Sequence, residues 1–192
     1  MKRATIVLVS ALMLVACIFP GMGEASPEEI WKETFSTDPF AAGTWHRNST
    51  ALVWGTYGGV PFIGCDSNNR IATYNYSFTT IDYTDLSIAV RYRTTGTLSG
   101  TYIEVWGMKD GSWSHVGNCP AANTTSWVTR SFNLSDGDWT KVRLTWRNAS
   151  SWQQRVSTVT VTGTVIPEPG GLLALGSGLV GLAGFAIRRR KP

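Results

Sequence analysis

Between residues 26 and 163 apolar and polar residues alternate with a period of two, and no stretch there carries a helical period. Tyr74, Tyr76 and Phe78 alternate with Thr73, Asn75 and Ser77, and Leu86, Ile88, Val90 and Tyr92 alternate with Ser87, Ala89, Arg91 and Arg93. Val142, Leu144 and Trp146 alternate with Lys141, Arg143, Thr145 and Arg147, and Val159 and Val161 with Thr158, Thr160 and Thr162. Side chains on a strand point alternately to its two faces, so each run predicts a half-buried antiparallel strand with one wet face. Further strand-like runs cover 31–36, 51–55, 102–108, 112–117 and 126–134. Turn chemistry separates them at Asp38-Pro39, Gly58-Gly59, Ser67-Asn68-Asn69, Ser99-Gly100, Asp110-Gly111 and Asp136-Gly137. Lys109-Asp110-Gly111-Ser112, between two aromatic-rich runs, predicts a tight hairpin. The expected fold is all-β: nine or ten short strands in a two-sheet antiparallel sandwich.

The two ends of the chain read differently. Met1-Lys2-Arg3 is a basic start, 4–19 an apolar run, and Gly23-Glu24-Ala25 has the small-x-small pattern that signal peptidase cuts, with Pro27 just beyond. Residues 1–25 are therefore expected to be a secretory signal peptide. Leu14-Val15-Ala16-Cys17 also matches a lipobox, although Ile18 and Phe19 continue the apolar run past the cysteine. In a third reading Cys17 is only a small apolar residue of that run.

At the other end, 170–187 holds no charge, and a helix of eighteen residues rises roughly 27 Å, close to the thickness of a bilayer's hydrocarbon core. Arg188, Arg189, Arg190 and Lys191 follow directly and are expected to stay on the cytoplasmic side, leaving everything before Pro167 outside. Pro167 and Pro169 bar helix propagation upstream, and Glu168 is costly to draw into lipid. The predicted organisation is a signal peptide at 1–25, one sandwich domain at 26–163 and a sorting or anchor segment at 164–192, with its transmembrane helix at about 170–187.

This tail, with Pro167-Glu168-Pro169, one apolar span and an arginine-rich end, resembles the PEP-CTERM sorting signal. The resemblance implies a bacterial protein and an exosortase partner, a membrane-embedded enzyme that would process the tail near Pro-Glu-Pro during export. The alternative is a plain membrane anchor.

With the ends set aside, eleven Lys and Arg and eleven Asp and Glu remain, so the expected exported domain is formally neutral. The chain's pI of about 9.1 belongs to its ends, and a nucleic-acid partner is not indicated. Cys65 and Cys119 are the two cysteines of the domain, and in an oxidising compartment they are expected to pair. Closing that loop would contribute about 4 kcal/mol in the chain-entropy picture. No metal or cofactor is expected, because His46 and His115 do not stand at ligand spacing from a cysteine. Asp38, Asp66, Asp136 and Asp138 are oxygen donors that a structural calcium could use, but turn capping accounts for them as well.

The order of features is also similar to the jelly-roll modules of secreted bacterial proteins. It runs from Glu33-Thr34-Phe35 into Asp38 and Trp45, then Tyr102-Ile103-Glu104-Val105 with Asp110-Gly111-Ser112-Trp113, then Ser131-Phe132-Asn133-Leu134 with Val142 to Trp146. Such modules are lectin-like, carbohydrate-binding or adhesive.

All nine tryptophans lie within 26–163. Exposed indoles stack on pyranose faces while Asn, Asp, Arg and Gln satisfy the hydroxyls; buried ones simply fill a small core. Trp146 shares the parity of Val142 and Leu144 and belongs to the core. Trp113 and Trp152, beside turn chemistry and polar neighbours, are the candidate ligand-binding residues, and Trp139 suits either role. No catalytic residue is expected. Glu104 is the one carboxylate inside a well-defined strand, and its same-face neighbours 102 and 106 are Tyr and Trp, so the paired carboxylates of a glycosidase are missing. Asn-x-Ser/Thr sequons stand at Asn48, Asn75, Asn123, Asn133 and Asn148 and leave surface modification open. The sequence thus points to an exported structural or adhesive surface protein, with a carbohydrate-binding module docking to exopolysaccharide as the alternative.

Overall fold

The computed structural model of the chain describes residues 26–65, 69–94, 101–120, 126–147, 154–166 and 178. The signal peptide, Cys17, Asp66, Trp152, Asn123, Asn148, Pro167, Glu168, Pro169 and Arg188, Arg189 and Arg190 lie outside the described residues, as does the expected span but for Gly178. Among the described residues no helix is long and apolar enough to cross a membrane.

Eleven strands are described: β1 (Glu28–Glu33), β2 (Trp45–Arg47), β3 (Leu52–Tyr57), β4 (Val60–Cys65), β5 (Arg70–Tyr74), β6 (Tyr83–Thr94), β7 (Tyr102–Lys109), β8 (Ser112–Pro120), β9 (Val128–Asn133), β10 (Trp139–Arg147) and β11 (Gln154–Val165). They form two antiparallel sheets, as the alternation predicts. The first has the order β3-β4-β11-β6-β9, and the second β2-β5-β10-β7-β8. One flank of the long β11 is shared, with β4 pairing its Gln154–Val156 end and β1 pairing 159–163.

The inward parities of both sheets meet in one core. Ile88, Val90, Tyr92, Val156, Val159, Val161, Ile63 and Leu52 come from the first sheet, and Trp45, Ile103, Val105, Val142, Leu144 and Trp146 from the second. Val156 and Val159, three apart, both face inward because a bulge between Val156 and Thr158 inserts one residue and resets the parity. Trp45 is the hub of an aromatic group, with ring centroids 5.5 Å from Phe35, 5.7 Å from Tyr74 and 6.3 Å from Trp31, and its indole N–H donates to Glu33 Oε2 at 3.2 Å.

The expected hairpin forms between β7 and β8. Asp110 and Gly111 have φ of 48° and 80°, the two left-handed positions of a type I′ turn. The run 73–78 is not a strand throughout. β5 ends at Tyr74, Tyr76 is 56% exposed, and Phe78 turns back to stack on Trp31 at 5.3 Å.

The predicted Cys65–Cys119 disulfide is not formed. Both residues are buried, but they stand on opposite flanks of the sandwich. Cys65 ends β4, while Cys119 is on the edge strand β8, which packs over β9, with its thiol near Tyr92 of β6 and Arg130 of β9. From β4 to β9 there are three inter-strand steps of about 4.8 Å, whereas a disulfide requires Cα atoms within about 7 Å.

Candidate functional site

The outer face of the second sheet collects side chains that its core has no use for. On β7, Ile103 and Val105 point inward, so Tyr102, Glu104, Trp106 and Met108 point out; on β10, Val142, Leu144 and Trp146 point inward, so Lys141, Arg143, Thr145 and Arg147 point out. Pairing of the strands places Arg143 opposite Trp106 and Thr145 opposite Glu104. On β8, Trp113 faces Met108 and His115 faces Trp106. An irregularity beside Trp106 resets the β8 parity, so His115 and Asn118, three apart, share the outer face and hydrogen-bond at 2.8 Å.

At the centre of this face the Arg143 guanidinium is clamped between two indoles, its carbon 4.8 Å from the Trp106 ring centre and 4.4 Å from that of Trp113. Burial pulls the Arg143 guanidinium below the usual arginine range; the charge of Glu104 opposes this and that of Arg147 adds to it. His115 meets the Trp106 ring edge-on at 5.1 Å. Beside the clamp, Glu104 receives two donors: Arg147 Nε at 2.9 Å on Oε1 and the Trp106 indole N–H at 3.0 Å on Oε2. Arg147 also donates to Asn69 Oδ1, and its bond to Glu104 raises its pKa further. The result is a strip of planar donors and acceptors alongside flat apolar edges.

Of the predicted ligand-binding residues, Trp113 is part of this face and Trp152 lies outside the described residues. Trp139 does not belong to it. It is 5% exposed, its six-membered ring packs over Gly107, and its indole N–H donates to Ser135 O at 2.8 Å. The sequence reading passed over Trp106 and Arg143. The usable signal was parity, since each stands out of step with the apolar residues of its own strand.

Of the four aspartates considered for calcium, Asp38 caps a turn and Asp138 ties the segment before β6 to the start of β10. Asp38 Oδ1 accepts from Phe40 N at 2.9 Å and Ala41 N at 3.2 Å, and Asp138 Oδ1 accepts from Thr79 Oγ1 at 2.9 Å and Thr80 N at 3.1 Å. Among the described residues no group of three His, Cys, Asp or Glu could hold a metal ion. A cleft of about 460 Å³ at the pole where β11 ends is lined by Asp110, Asp136, Asp138, Ile81 and Ile166.

Residues 165–191 match the PEP-CTERM protein-sorting motif. No curated protein matches the chain. The sandwich is similar to the K3 cleaved adhesin domain of Lys-gingipain from Porphyromonas gingivalis, at 10% identity over 71% of this chain and 99% of that one, with a TM-score of 0.53; this likeness is one of fold. The C-terminal CBM6 of LamC, a marine laminarinase from Zobellia galactanivorans, matches at 14% identity over 71% of this chain and 99% of that one, with a TM-score of 0.49. The CBM22-1 xylan-binding domain of Paenibacillus barcinonensis Xyn10C matches at 8% identity over 75% and 98%, also at 0.49. The chain is a β-sandwich protein that carries a PEP-CTERM protein-sorting motif at its C-terminal end.

Proposed function

We propose that the chain is an exported bacterial surface or matrix protein, delivered through an exosortase acting on its tail, whose sandwich adheres by binding polysaccharide on the outer face of the second sheet and catalyses no reaction. The sorting motif at 165–191 supports the delivery. The observation that carries the binding is the clamp of Arg143 between Trp106 and Trp113 beside the Glu104–Arg147 pair. The clamp fixes a planar, charged donor at low entropic cost, and the free edges of the indoles offer apolar area next to it. Glu104 has both oxygens engaged by Arg147 and Trp106, which suits a hydrogen-bonding and positioning role rather than that of a proton donor.

The test is binding of the full-length chain to a panel of polysaccharides, read by tryptophan fluorescence and by retardation in glycan-loaded gels. One polysaccharide is expected to bind, and Trp113→Ala and Arg143→Ala should each weaken it by about 2 kcal/mol, roughly thirty-fold in Kd, as for a central anchor residue. The far-UV spectrum should not change. Retention of full affinity by both variants would refute this face as the binding site. Release of reducing ends from any glycan, lost in Glu104→Gln, would show that the protein is a hydrolase.

A further inference from the structure

On the opposite sheet a second set of arginines is arranged in a way that its own neighbours do not explain. Arg155 of β11 and Arg93 of β6 are direct register partners. Both point outward, since the next residues, Val156 and Tyr92, are core. Like charges directly opposite one another on a sheet destabilise it. Here the two guanidiniums converge further, their carbons lying 4.5 Å and 3.9 Å from the centre of the same Tyr57 ring. Phe62 forms the floor: its ring lies 5.0 Å from the Arg155 guanidinium and covers Gly64, where an added Cβ would meet it at 3.0 Å.

Arg93 is only 5% exposed, and its Nε and Nη1 have no hydrogen-bond partner; the buried Nε of Arg155 has none either. Among the described residues neither arginine pairs with a carboxylate. Burial pulls the Arg155 guanidinium below the usual arginine range, and the charge of Arg93 pulls it the same way. Two crowded cations with unused donors are costly to bury unless an anion completes them. An anion that presents two or more oxygens, such as a carboxylate or a phosphate, is the group whose geometry suits two guanidinium forks at once.

We propose that Arg93 and Arg155, with the 43%-exposed Tyr57 at the mouth, form an oxyanion site that takes a carboxylate or phosphate group. The site lies on the first sheet, and it stands or falls independently of the sugar-binding face on the second. Its ligand is either an acidic residue of a glycan or a free inorganic anion, and both present the same chemistry to the forks.

The test is thermal unfolding of the full-length chain in detergent at fixed ionic strength, with chloride replaced by inorganic phosphate in one arm and by oligogalacturonate in the other. A rise in Tm of roughly 3–6 °C at about ten times the Kd is expected in at least one arm. Arg155→Gln should abolish the rise, whereas Arg130→Gln, which removes the same charge elsewhere on the sheet, should preserve it. A response to oligogalacturonate identifies a glycan carboxylate as an accepted ligand, and a response to phosphate alone identifies a small-anion site. No rise in either arm, or a rise that survives Arg155→Gln, overturns the proposal. Should Arg155→Gln fail to fold, arginine Nε–H resonances of the unaltered protein give the answer: those of Arg93 and Arg155 must move on titration with the active anion, and their failure to move overturns the proposal equally.

Discussion

Glu104 and Arg147 meet at 2.9 Å across β7 and β10, one diagonal step apart in register, for Glu104 faces Thr145 and Arg147 faces Tyr102. The diagonal matters because it leaves the second carboxylate oxygen to the Trp106 indole and so ties the ion pair to the aromatic clamp. One carboxylate thereby orients both halves of the proposed binding face.

Acid should weaken this arrangement only once the pH falls below the ordinary Glu range. Burial pushes the Glu104 carboxyl up, but the hydrogen bonds from Arg147 and Trp106 and the nearby positive charge outweigh it, so its pKa lies below the ordinary Glu value. The unfolded chain then binds the proton more readily than the native state. The stabilisation from this group is complete above the ordinary Glu range and is lost as pH falls through the lowered native value. Unfolding midpoints between pH 7 and 2.5 should fall more steeply for the wild type than for Glu104→Gln. At pH 7 the variant should be less stable by about 1–3 kcal/mol. Parallel acid limbs would show that the pair contributes nothing.

Gly107 and Gly117 are required by aromatic neighbours rather than by backbone conformation. A Cβ at Gly107 would stand 2.4 Å from Cε3 of Trp139, and one at Gly117 would stand 2.4 Å from Cδ1 of Phe132. Each glycine lets a ring lie flat on the sheet, so alanine must displace the ring. Gly107→Ala and Gly117→Ala should each destabilise by about 1–3 kcal/mol in denaturant titrations, with the slope unchanged.

The extent to which the sequence revealed this structure follows from parity. Where one face was buried, as along β6, β10 and β11, alternation identified the strand and its inward residues. It failed at β4, where Pro61 and Gly64 interrupt the pattern and Phe62 and Ile63 are both buried, one under the arginine stack and one in the core. It also failed at β2, whose three residues are too short to show a period. The outward placement of Trp113 was recognisable from its position after the Asp110-Gly111 turn. Trp139 was ambiguous because its burial depends on Gly107, thirty-two positions away, and no local pattern encodes that contact. The disulfide expectation rested on compartment and count, neither of which reports that β4 and β8 lie on opposite flanks.

The cysteines give a direct chemical check. Burial pushes the Cys119 thiol up to about 12, so almost none of it is thiolate near neutrality. Iodoacetamide at pH 8 should leave Cys119 unmodified in the folded protein. In denaturant without reductant, the peptides of Cys65 and Cys119 should both be fully alkylated, and reductant should not move Tm. Labelling that requires prior reduction would establish the disulfide and require β4 and β8 to lie closer than they do.

The junction between sandwich and tail makes the final prediction. β11 runs through Val165, which pairs with Tyr83, and Ile166 N donates to Asp82 O at 2.8 Å, so the strand's last residue is also the first residue of the sorting motif. Pro167 and Pro169 carry no N–H and cannot extend the ladder. Processing at Pro167-Glu168-Pro169 would therefore remove the tail without taking any strand residue. In a host with a working exosortase, intact mass should show loss of the chain beyond this motif, and the shortened protein should unfold within about a degree of the full-length chain. A chain ended at Thr162 loses the pairings of Gly163 with Glu28, Thr164 with Thr84 and Val165 with Tyr83, and should be destabilised by about 2–3 kcal/mol, near 1 kcal/mol for each hydrogen-bonded pair removed. If full-length mass persists in hosts with and without the enzyme, the tail is an anchor and not a processed signal. If instead the processed form ends upstream of Val165, cleavage must follow local opening of β11, and the processed domain should then lose about 1 kcal/mol for each strand pairing removed.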